Sequence, residues 1–269
     1  MASRRRPCLL LSALLPFVAL ALLAGAAAAK STGQVTVFWG RNANEGTLRE
    51  ACDTGLYTTV IISFYSVFGH GRYWGDLSGH PLSTVGADIK HCQSKHILVL
   101  LSIGGNATSS DYSLPSSASA AAVADNLWNA HLGGRRRVRL TASPRCGFPD
   151  ARLEKALRTG LFERVHVRFY GAGAGGDKCS YLNGGTWGIV EAWNKWTAAY
   201  PKAQIYLGLA AAESGIPDGA TGTIAVYLKY LYYDLLPKVQ KAKNYGGVMV
   251  WDRFSDKKTG YSGVVQGWA

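Results

Sequence analysis

Hydrophobic residues along the chain fall into seven short runs that are rich in β-branched and aromatic side chains. Each run is bounded by Gly, Asn, Asp or Pro, a pattern that is typical of strands. Because the runs are almost continuously apolar, both faces of these strands are expected to be covered. The predicted strands are residues 34–39, 57–64, 96–103, 138–141, 164–170, 204–209 and 247–251.

Amphipathic stretches with helical spacing lie between most of these strands, and they predict helices over residues 47–52, 82–94, 117–131, 187–199 and 224–241. Strands that alternate with helices indicate a parallel sheet. Seven such units over about 240 residues favour an α/β fold of the (β/α)8, TIM-barrel type, with a doubly wound open sheet as the alternative. No G-x-G-x-x-G motif follows the first strand, which removes the commonest nucleotide-binding version of that alternative.

The alternation fails between Trp128 and Val138, where a predicted helix runs through two glycines and three arginines directly into a strand. The pattern therefore predicts a barrel that lacks its fourth strand and fourth helix. Either the two flanking strands pair, or the sheet stays open with exposed edges. We expect low stability, since natural domains keep only about 5–15 kcal/mol of margin. It should show as low soluble yield, as dye binding to exposed apolar surface, or as association through open strand edges.

The first residues predict secretion. Arginines at positions 4–6 precede an apolar segment over residues 8–23, and small residues at 26–29 follow it. This is the order of a secretory signal peptide, and the apolar segment is short for a membrane span. We predict a signal peptide over residues 1–29, a single mature domain over residues 30–269, an extracellular, apoplastic location and no membrane insertion.

The chain is basic, with 29 Lys and Arg residues against 17 Asp and Glu residues. A basic surface favours acidic partners. Secretion and the lack of zinc-finger spacing, an RNP motif or basic–aromatic interleaving argue against nucleic acid. Asn106-Ala107-Thr108 is the one glycosylation sequon.

Four cysteines remain after removal of the predicted signal peptide: Cys52, Cys92, Cys146 and Cys179. An even number in an oxidising compartment predicts two disulfides, with three possible connectivities. No C-x-x-C spacing is present, so neither a zinc site nor any other metal or cofactor is expected.

Several segments resemble one known family. Residues 35–42, residues 48–53 and the glycine-rich turn Ser102-Ile-Gly-Gly105 are similar to plant class III chitinases of glycoside hydrolase family 18. A branch of that family is more similar still: the cereal xylanase inhibitor proteins, which have the chitinase fold without chitinase activity. That closer similarity lies in residues 83–92, 160–170, 193–201 and 244–253. The resemblance runs from Gly33 to Ala269 except at the gap.

The chitinases of this family carry the motif D-x-x-D-x-D-x-E at the end of the fourth strand. Its Glu protonates the glycosidic oxygen, while the preceding Asp helps the acetamido group of the substrate to attack the anomeric carbon. This chain has no acidic residue between Asp125 and Asp150. Losing a positioned general acid costs about 10²- to 10⁴-fold in rate. We therefore predict no enzymatic activity and no catalytic residues.

The resemblance also implies site residues. It pairs Cys52 with Cys92 and Cys146 with Cys179. It places three aromatic residues, Trp39, Tyr170 and Trp251, at the sugar cleft, where a glycan on Asn106 would crowd the mouth.

In the inhibitors, the helix before the last strand enters the cleft of one xylanase class, led by a lysine. Lys229 is at the matching position, and Tyr233 and Lys238 lie on the same predicted helix. A retaining xylanase cleft holds two carboxylates, which a Lys ammonium can bind through charge-assisted hydrogen bonds. The loop used against the jelly-roll class falls in the gap, where only Arg135, Arg136 and Arg137 remain.

We therefore predict a secreted, monomeric, non-catalytic inhibitor of microbial xylanases in plant defence, with the barrel-fold class favoured as partner. The alternatives are a lectin-like protein that binds chitin oligosaccharides, a degenerate class III chitinase, and a storage or truncated product.

Overall fold

A computed structural model describes residues 32–69, 71–105, 113–132, 139–171, 177–211 and 225–269. The strands of this part of the chain are β1 (Val35–Trp39), β2 (Thr59–Val67), β3 (Trp74–Gly75), β4 (Leu98–Ile103), β5 (Leu140–Ala142), β6 (Phe162–Arg168), β7 (Gln204–Ala210) and β8 (Tyr245–Trp251). All but the short β3 coincide with predicted strands, and most ends differ by two residues or fewer.

The sheet has the parallel order β4-β2-β1-β8-β7-β6-β5, and β3 pairs antiparallel with the end of β2. Strand β1 closes the sheet onto the last strand, since Val35 lies opposite Val248 while Val37 lies opposite Val60. Strands β4 and β5 each have one parallel neighbour among the described residues. The fold is therefore a TIM-type barrel opened along one seam, which confirms the predicted fold class.

The seam changes the environment of the strands beside it. Every residue of β1 is buried, whereas the residues of β4 are half-buried and Ile103 is 51% exposed. On the other side of the seam, Leu140 of β5 is 42% exposed. Of the two outcomes predicted for a missing fourth strand, the sheet thus adopts the open one, with apolar edges at β4 and β5.

The helices are α1 (Leu48–Asp53), α2 (Leu82–Ser94), α3 (Ser117–Asn126), α4 (Glu154–Leu157), α5 (Tyr181–Ala199), α6 (Arg253–Thr259) and α7 (Tyr261–Val265). A 3₁₀ turn over Ala43–Glu45 precedes α1, and a π-helical turn over Leu127–His131 extends α3. Between α5 and β8 lies a helix in three parts, Leu228–Tyr230, a π-helical Leu231–Leu235 and Leu236–Val239, which we call the interrupted helix. No helix in the described ranges combines the length and the apolarity that a bilayer crossing requires.

Local sequence explains where helices begin. Thr47 caps α1, because its hydroxyl accepts from the backbone of Glu50 while the Glu50 carboxylate accepts from the backbone of Thr47. Helix α5 begins six residues before its predicted start, with a kink at Gly185, whose φ of 58° suits a residue without Cβ. The sequence pattern predicts a single α-helix over residues 224–241, whereas the structure has a π-helical turn within this range.

Alternation along the strands divides the core into two layers. Val35, Val37 and Trp39 face the helices, whereas Phe38, between them, faces the barrel interior. The outer layer also receives Trp193 and Trp196 from α5, both fully buried. The period of two in a strand is what sends neighbouring residues to opposite sides.

The two disulfides of the structure have the connectivity that the resemblance implies. Cys52 of α1 is bonded to Cys92 of α2, and Cys146 is bonded to Cys179 just before α5. Asp177 lies close to the second bridge, but neither sulfur there is a thiolate that could bind a metal.

Candidate functional site

The mouth of the barrel holds an aromatic cluster at the carboxyl ends of the strands. Trp251 is at its centre: its ring centroid lies 5.2 Å from that of Phe38, 6.1 Å from Phe64 and 6.2 Å from Tyr170. The planes of Phe64 and Tyr170 are within 20° and 25° of the Trp251 plane. We call these four side chains the mouth cluster. It joins two of the three predicted cleft residues, Tyr170 and Trp251.

Trp39, the third predicted cleft residue, lies elsewhere, and that prediction is wrong. Its side chain is 1% exposed, its indole Nε1–H donates to the carbonyl of Gly46 at 2.9 Å, and its ring packs on His80. The reason is strand parity. Trp39 follows Phe38 on β1, so the phenylalanine reaches the mouth and the tryptophan faces the helices.

Several polar groups around the mouth cluster have partners within the protein. The Tyr170 hydroxyl contacts the Met249 sulfur at 3.7 Å, and burial raises the pKa of this tyrosine. The Arg41 guanidinium lies 5.0 Å from the centroid of the Phe64 ring and pairs with Asp76. The carboxylate of Asp252 accepts from the backbone N–H of Ser255 and so caps α6. Of the four rings, Tyr170 and Trp251 are partly exposed, whereas Phe38 and Phe64 are buried, and the Arg41 guanidinium lies beside Phe64.

A buried carboxylate that sequence reasoning missed holds the loop after β1. Glu45 is fully buried, and its Oε1 accepts from the backbone N–H groups of Gly40 and Asn42 and contacts Nε2 of His80. Burial raises the pKa of Glu45, although the backbone hydrogen bonds oppose that shift. This carboxylate shapes the loop beside the mouth and is not exposed to a ligand.

The interrupted helix presents a second candidate surface. Leu231, Leu235 and Val239 are fully buried and share one face at a spacing of four residues. The opposite face carries Lys229, which is exposed, and Tyr233, whose side chain is 83% exposed. No carboxylate of the described residues forms an ion pair with Lys229. The structure thus brings these two predicted partner-binding residues onto one free face.

Lys238 is placed differently. Its ammonium pairs with Asp234 one turn earlier, and Asp234 also accepts from the Thr186 hydroxyl of α5. The hydrogen bond from Lys238, followed by that from Thr186, lowers the pKa of Asp234. Lys238 also lines a groove of about 360 Å³ against Asn194. Its charge is therefore partly neutralised and directed toward α5.

Two further exposed aromatic residues lie near this face: Trp187, which the sequence did not single out, and Tyr230, whose place in a tyrosine-rich helix suits either an interface or a packed core. Trp187 is 74% exposed and follows Thr186, so the Thr186–Asp234 hydrogen bond places it next to the interrupted helix. Tyr230 is 50% exposed and packs edge-on against Tyr227. The amphipathic pattern places Trp187 in a helix but does not show which side it faces. Lys229, Tyr230, Tyr233 and Trp187 together are called the helix face below.

Asn106, the predicted glycosylation site, and Arg135, Arg136 and Arg137 lie outside the described residues.

The chain is similar in sequence to known proteins. Residues 34–132 match the family model of glycosyl hydrolases family 18. Xylanase inhibitor protein 1 of rice, Oryza sativa subsp. japonica, is 54% identical over 98% of both chains. This chain belongs to the xylanase inhibitor protein family. Its alignment with the rice protein spans 310 residues, whereas the chain has 269, so the rice member contains residues that have no counterpart here.

Solved structures agree with this family assignment. The xylanase and alpha-amylase inhibitor protein of Scadoxus multiflorus superposes with a TM-score of 0.78 at 27% identity, covering 88% of this chain and 98% of the other. A chitinase of Ipomoea carnea gives 0.77 at 30% identity, covering 88% and 100%. The fold of the family is therefore shared by inhibitors and enzymes, and the site residues must separate them.

Proposed function

We propose that this chain is a secreted, non-catalytic inhibitor of microbial xylanases and that the helix face is its binding surface. The observation that carries the proposal is the exposed ammonium of Lys229, which forms no ion pair with a described residue, on the same helix face as the protruding ring of Tyr233. The relatives named xylanase inhibitor proteins support the partner class. Leu231 and Leu235 hold the interrupted helix against the hydrophobic core, so the opposite face is presented outward.

The chemistry of the helix face fits an enzyme cleft. A retaining xylanase carries two catalytic carboxylates about 5 Å apart, and an ammonium placed between them gains charge-assisted hydrogen bonds in a desolvated site. Aromatic residues that surround such a charge exclude water, and Tyr and Trp are enriched among the residues that dominate binding energy. Tyr233, one turn after Lys229 on the same helix face, is the aromatic residue proposed to do this.

The proposed partner is a barrel-fold xylanase. The loop that the family uses against jelly-roll enzymes would fall where this chain is shorter than its relatives, whereas the helix face is complete. The protein would act outside the cell, in the apoplast, once the predicted signal peptide over residues 1–29 is removed. N-terminal sequencing of the natural protein, expected to start near Lys30, tests that step.

Inhibition assays with Lys229→Ala test the binding surface. Truncating one partner of a buried charge pair costs about 2–5 kcal/mol, so inhibition of a barrel-fold xylanase should weaken by more than about tenfold. Lys202→Ala is the matched control, because Lys202 is an exposed lysine in the turn before β7. Lys238→Ala should have a smaller effect, since its charge is shared with Asp234. An unchanged inhibition constant for Lys229→Ala would place the interface on another surface.

A second candidate function rests on the mouth cluster. Tyr170 and Trp251 are partly exposed and nearly parallel, so their rings could stack on sugar rings and the protein could bind chitin oligosaccharides without cleaving them. Titration with chitin oligomers, followed by Trp251→Ala, tests this candidate. The same preparations should release no product from the oligomers. Turnover that disappears when another carboxylate is mutated would overturn the non-catalytic assignment.

A further inference from the structure

A cavity of about 450 Å³ lies at the amino-terminal ends of the strands, at the opposite end of the barrel from the mouth cluster. On one side it is lined by Thr59 and Leu98, at the beginnings of β2 and β4. On the other side it is lined by Arg139 and Arg164, at the beginnings of β5 and β6. The cavity therefore occupies the foot of the open seam.

Arg164 carries a positive charge into this cavity. The side chain is half-buried; its Nη1 donates to the Thr59 hydroxyl at 3.2 Å, and its guanidinium carbon lies 5.5 Å from the centroid of the Tyr206 ring. Within the described ranges, no Asp or Glu oxygen lies within ion-pair distance of it. Partial burial of a cation without a counterion is unfavourable, and an anion in the cavity would relieve that cost.

A second guanidinium lies at the rim of the cavity. Arg139 is exposed on the rim, and its Nη1 lies 3.5 Å from the Glu163 carboxylate, the one acidic group paired with either arginine in the described structure. The remaining polar lining is neutral or weakly basic: Gln34, Gln93 and His96. Gln34 accepts from the Tyr206 hydroxyl through its Oε1 at 2.6 Å, which leaves its amide N–H groups as donors.

We propose that this cavity binds an oxyanion, a carboxylate or a phosphate group, carried on a small hydroxyl-rich molecule, with Arg164 as the principal anchor. The guanidinium fork matches the geometry of a planar carboxylate or of two phosphate oxygens. The side-chain amides of Gln34 and Gln93 and the Thr58 hydroxyl can form hydrogen bonds with hydroxyl groups of the ligand. The volume of the cavity lies in the range of small-molecule sites. A sugar acid and an inorganic phosphate are two sources of the same chemistry.

Calorimetric titration of the whole mature protein separates these sources. The probes are sodium glucuronate, inorganic phosphate and glucose, which has the body of glucuronate without its charge. We expect one of the anions to bind and glucose to bind too weakly to measure. Arg164→Gln should weaken anion binding by at least about tenfold, because hydrogen bonds to charged groups contribute most of the affinity of such a site. Arg139→Gln should weaken it by less.

Arg158→Gln is the matched control, since Arg158 is an exposed arginine that pairs with Glu154 on α4, away from the cavity lining. Phosphate binding that depends on Arg164 supports the oxyanion site and selects phosphate; glucuronate binding with that dependence selects the sugar acid. Three results would overturn the proposal: no binding of either anion at about 20 mM, equal binding of glucose, or binding unchanged in both variants. If Arg164→Gln does not fold, the test relies on Arg139→Gln alone. That variant is expected to fold, because the Arg139 side chain is exposed on the rim. None of these outcomes bears on the helix face.

Discussion

His166 links the stability of this protein to pH. Its imidazole is fully buried inside the barrel, and its ring centroid lies 4.5 Å from that of Tyr206, with the two planes tilted by 38°. Burial, with a further contribution from the charge of Arg164, lowers the pKa of His166 from 6.5 to about 3. The native protein therefore keeps this imidazole neutral over a pH range in which the unfolded chain protonates it.

The sign and the size of the effect follow. Above pH 6.5 both states hold a neutral imidazole, so His166 contributes no pH dependence. Between pH 6.5 and about 3 the unfolded state binds the extra proton, so the free energy of unfolding falls by up to about 1.4 kcal/mol per pH unit as the pH decreases. Between pH 7 and pH 5 the expected loss from His166 alone is about 2 kcal/mol.

Urea denaturation at pH 7, 6 and 5 measures this loss. Other groups also titrate in this range, so the comparison is between the natural chain and His166→Leu, which removes the imidazole and keeps an apolar side chain of similar size. The variant should lose about 2 kcal/mol less than the natural chain between pH 7 and pH 5. His131→Leu, at an exposed histidine, is the control and should keep the natural pH dependence. Equal losses in the natural chain and His166→Leu would refute the reasoning.

Three further predictions concern stability and association. Tyr57→Phe should lower the free energy of unfolding by about 1–3 kcal/mol, because the Tyr57 hydroxyl donates to the buried carboxylate of Asp256; denaturant titration measures it. Replacing Cys146 and Cys179 with Ala should cost about 3–4 kcal/mol in the chain-entropy model, and a loss below about 1 kcal/mol in the same titration would contradict it. Sedimentation should reveal concentration-dependent association through β4, and Ile103→Lys should reduce it, because a charge on an open edge disfavours strand pairing.

The sequence predicted the strands well because each is a short apolar run between turn residues, and the gap in the pattern indicated the open seam. Short elements were missed. Strand β3 has two residues and helix α4 has four, too few for a periodic pattern to emerge. The π-helical turn in the interrupted helix was also missed, because Leu231 and Leu235 keep the spacing of an ordinary amphipathic helix.

Site residues were harder to predict than strands because orientation depends on packing. Trp39 and Phe38 are adjacent aromatic residues on one strand, and only the register of the sheet shows that Phe38 faces the interior. Trp187 was placed on the correct helix, yet its exposure depends on the kink at Gly185 and on the Thr186–Asp234 hydrogen bond. The role of Glu45 depends on a tight loop after β1 that a lone acidic residue does not indicate.

The pairing of β1 with β8 has a consequence for biosynthesis. In the described sheet it is the one strand pairing that joins β2 and β4 to the strands β5, β6 and β7. Strand β8, which pairs with β1, is the last strand of the described sheet to be translated. Until it is made, strands β1, β2 and β4 have left the ribosome while the edge of β1 is still unpaired. Because contacts between distant segments are slow to form, the nascent chain remains open until translation is complete. A premature stop before Tyr245 would therefore leave both halves of the sheet without their connection.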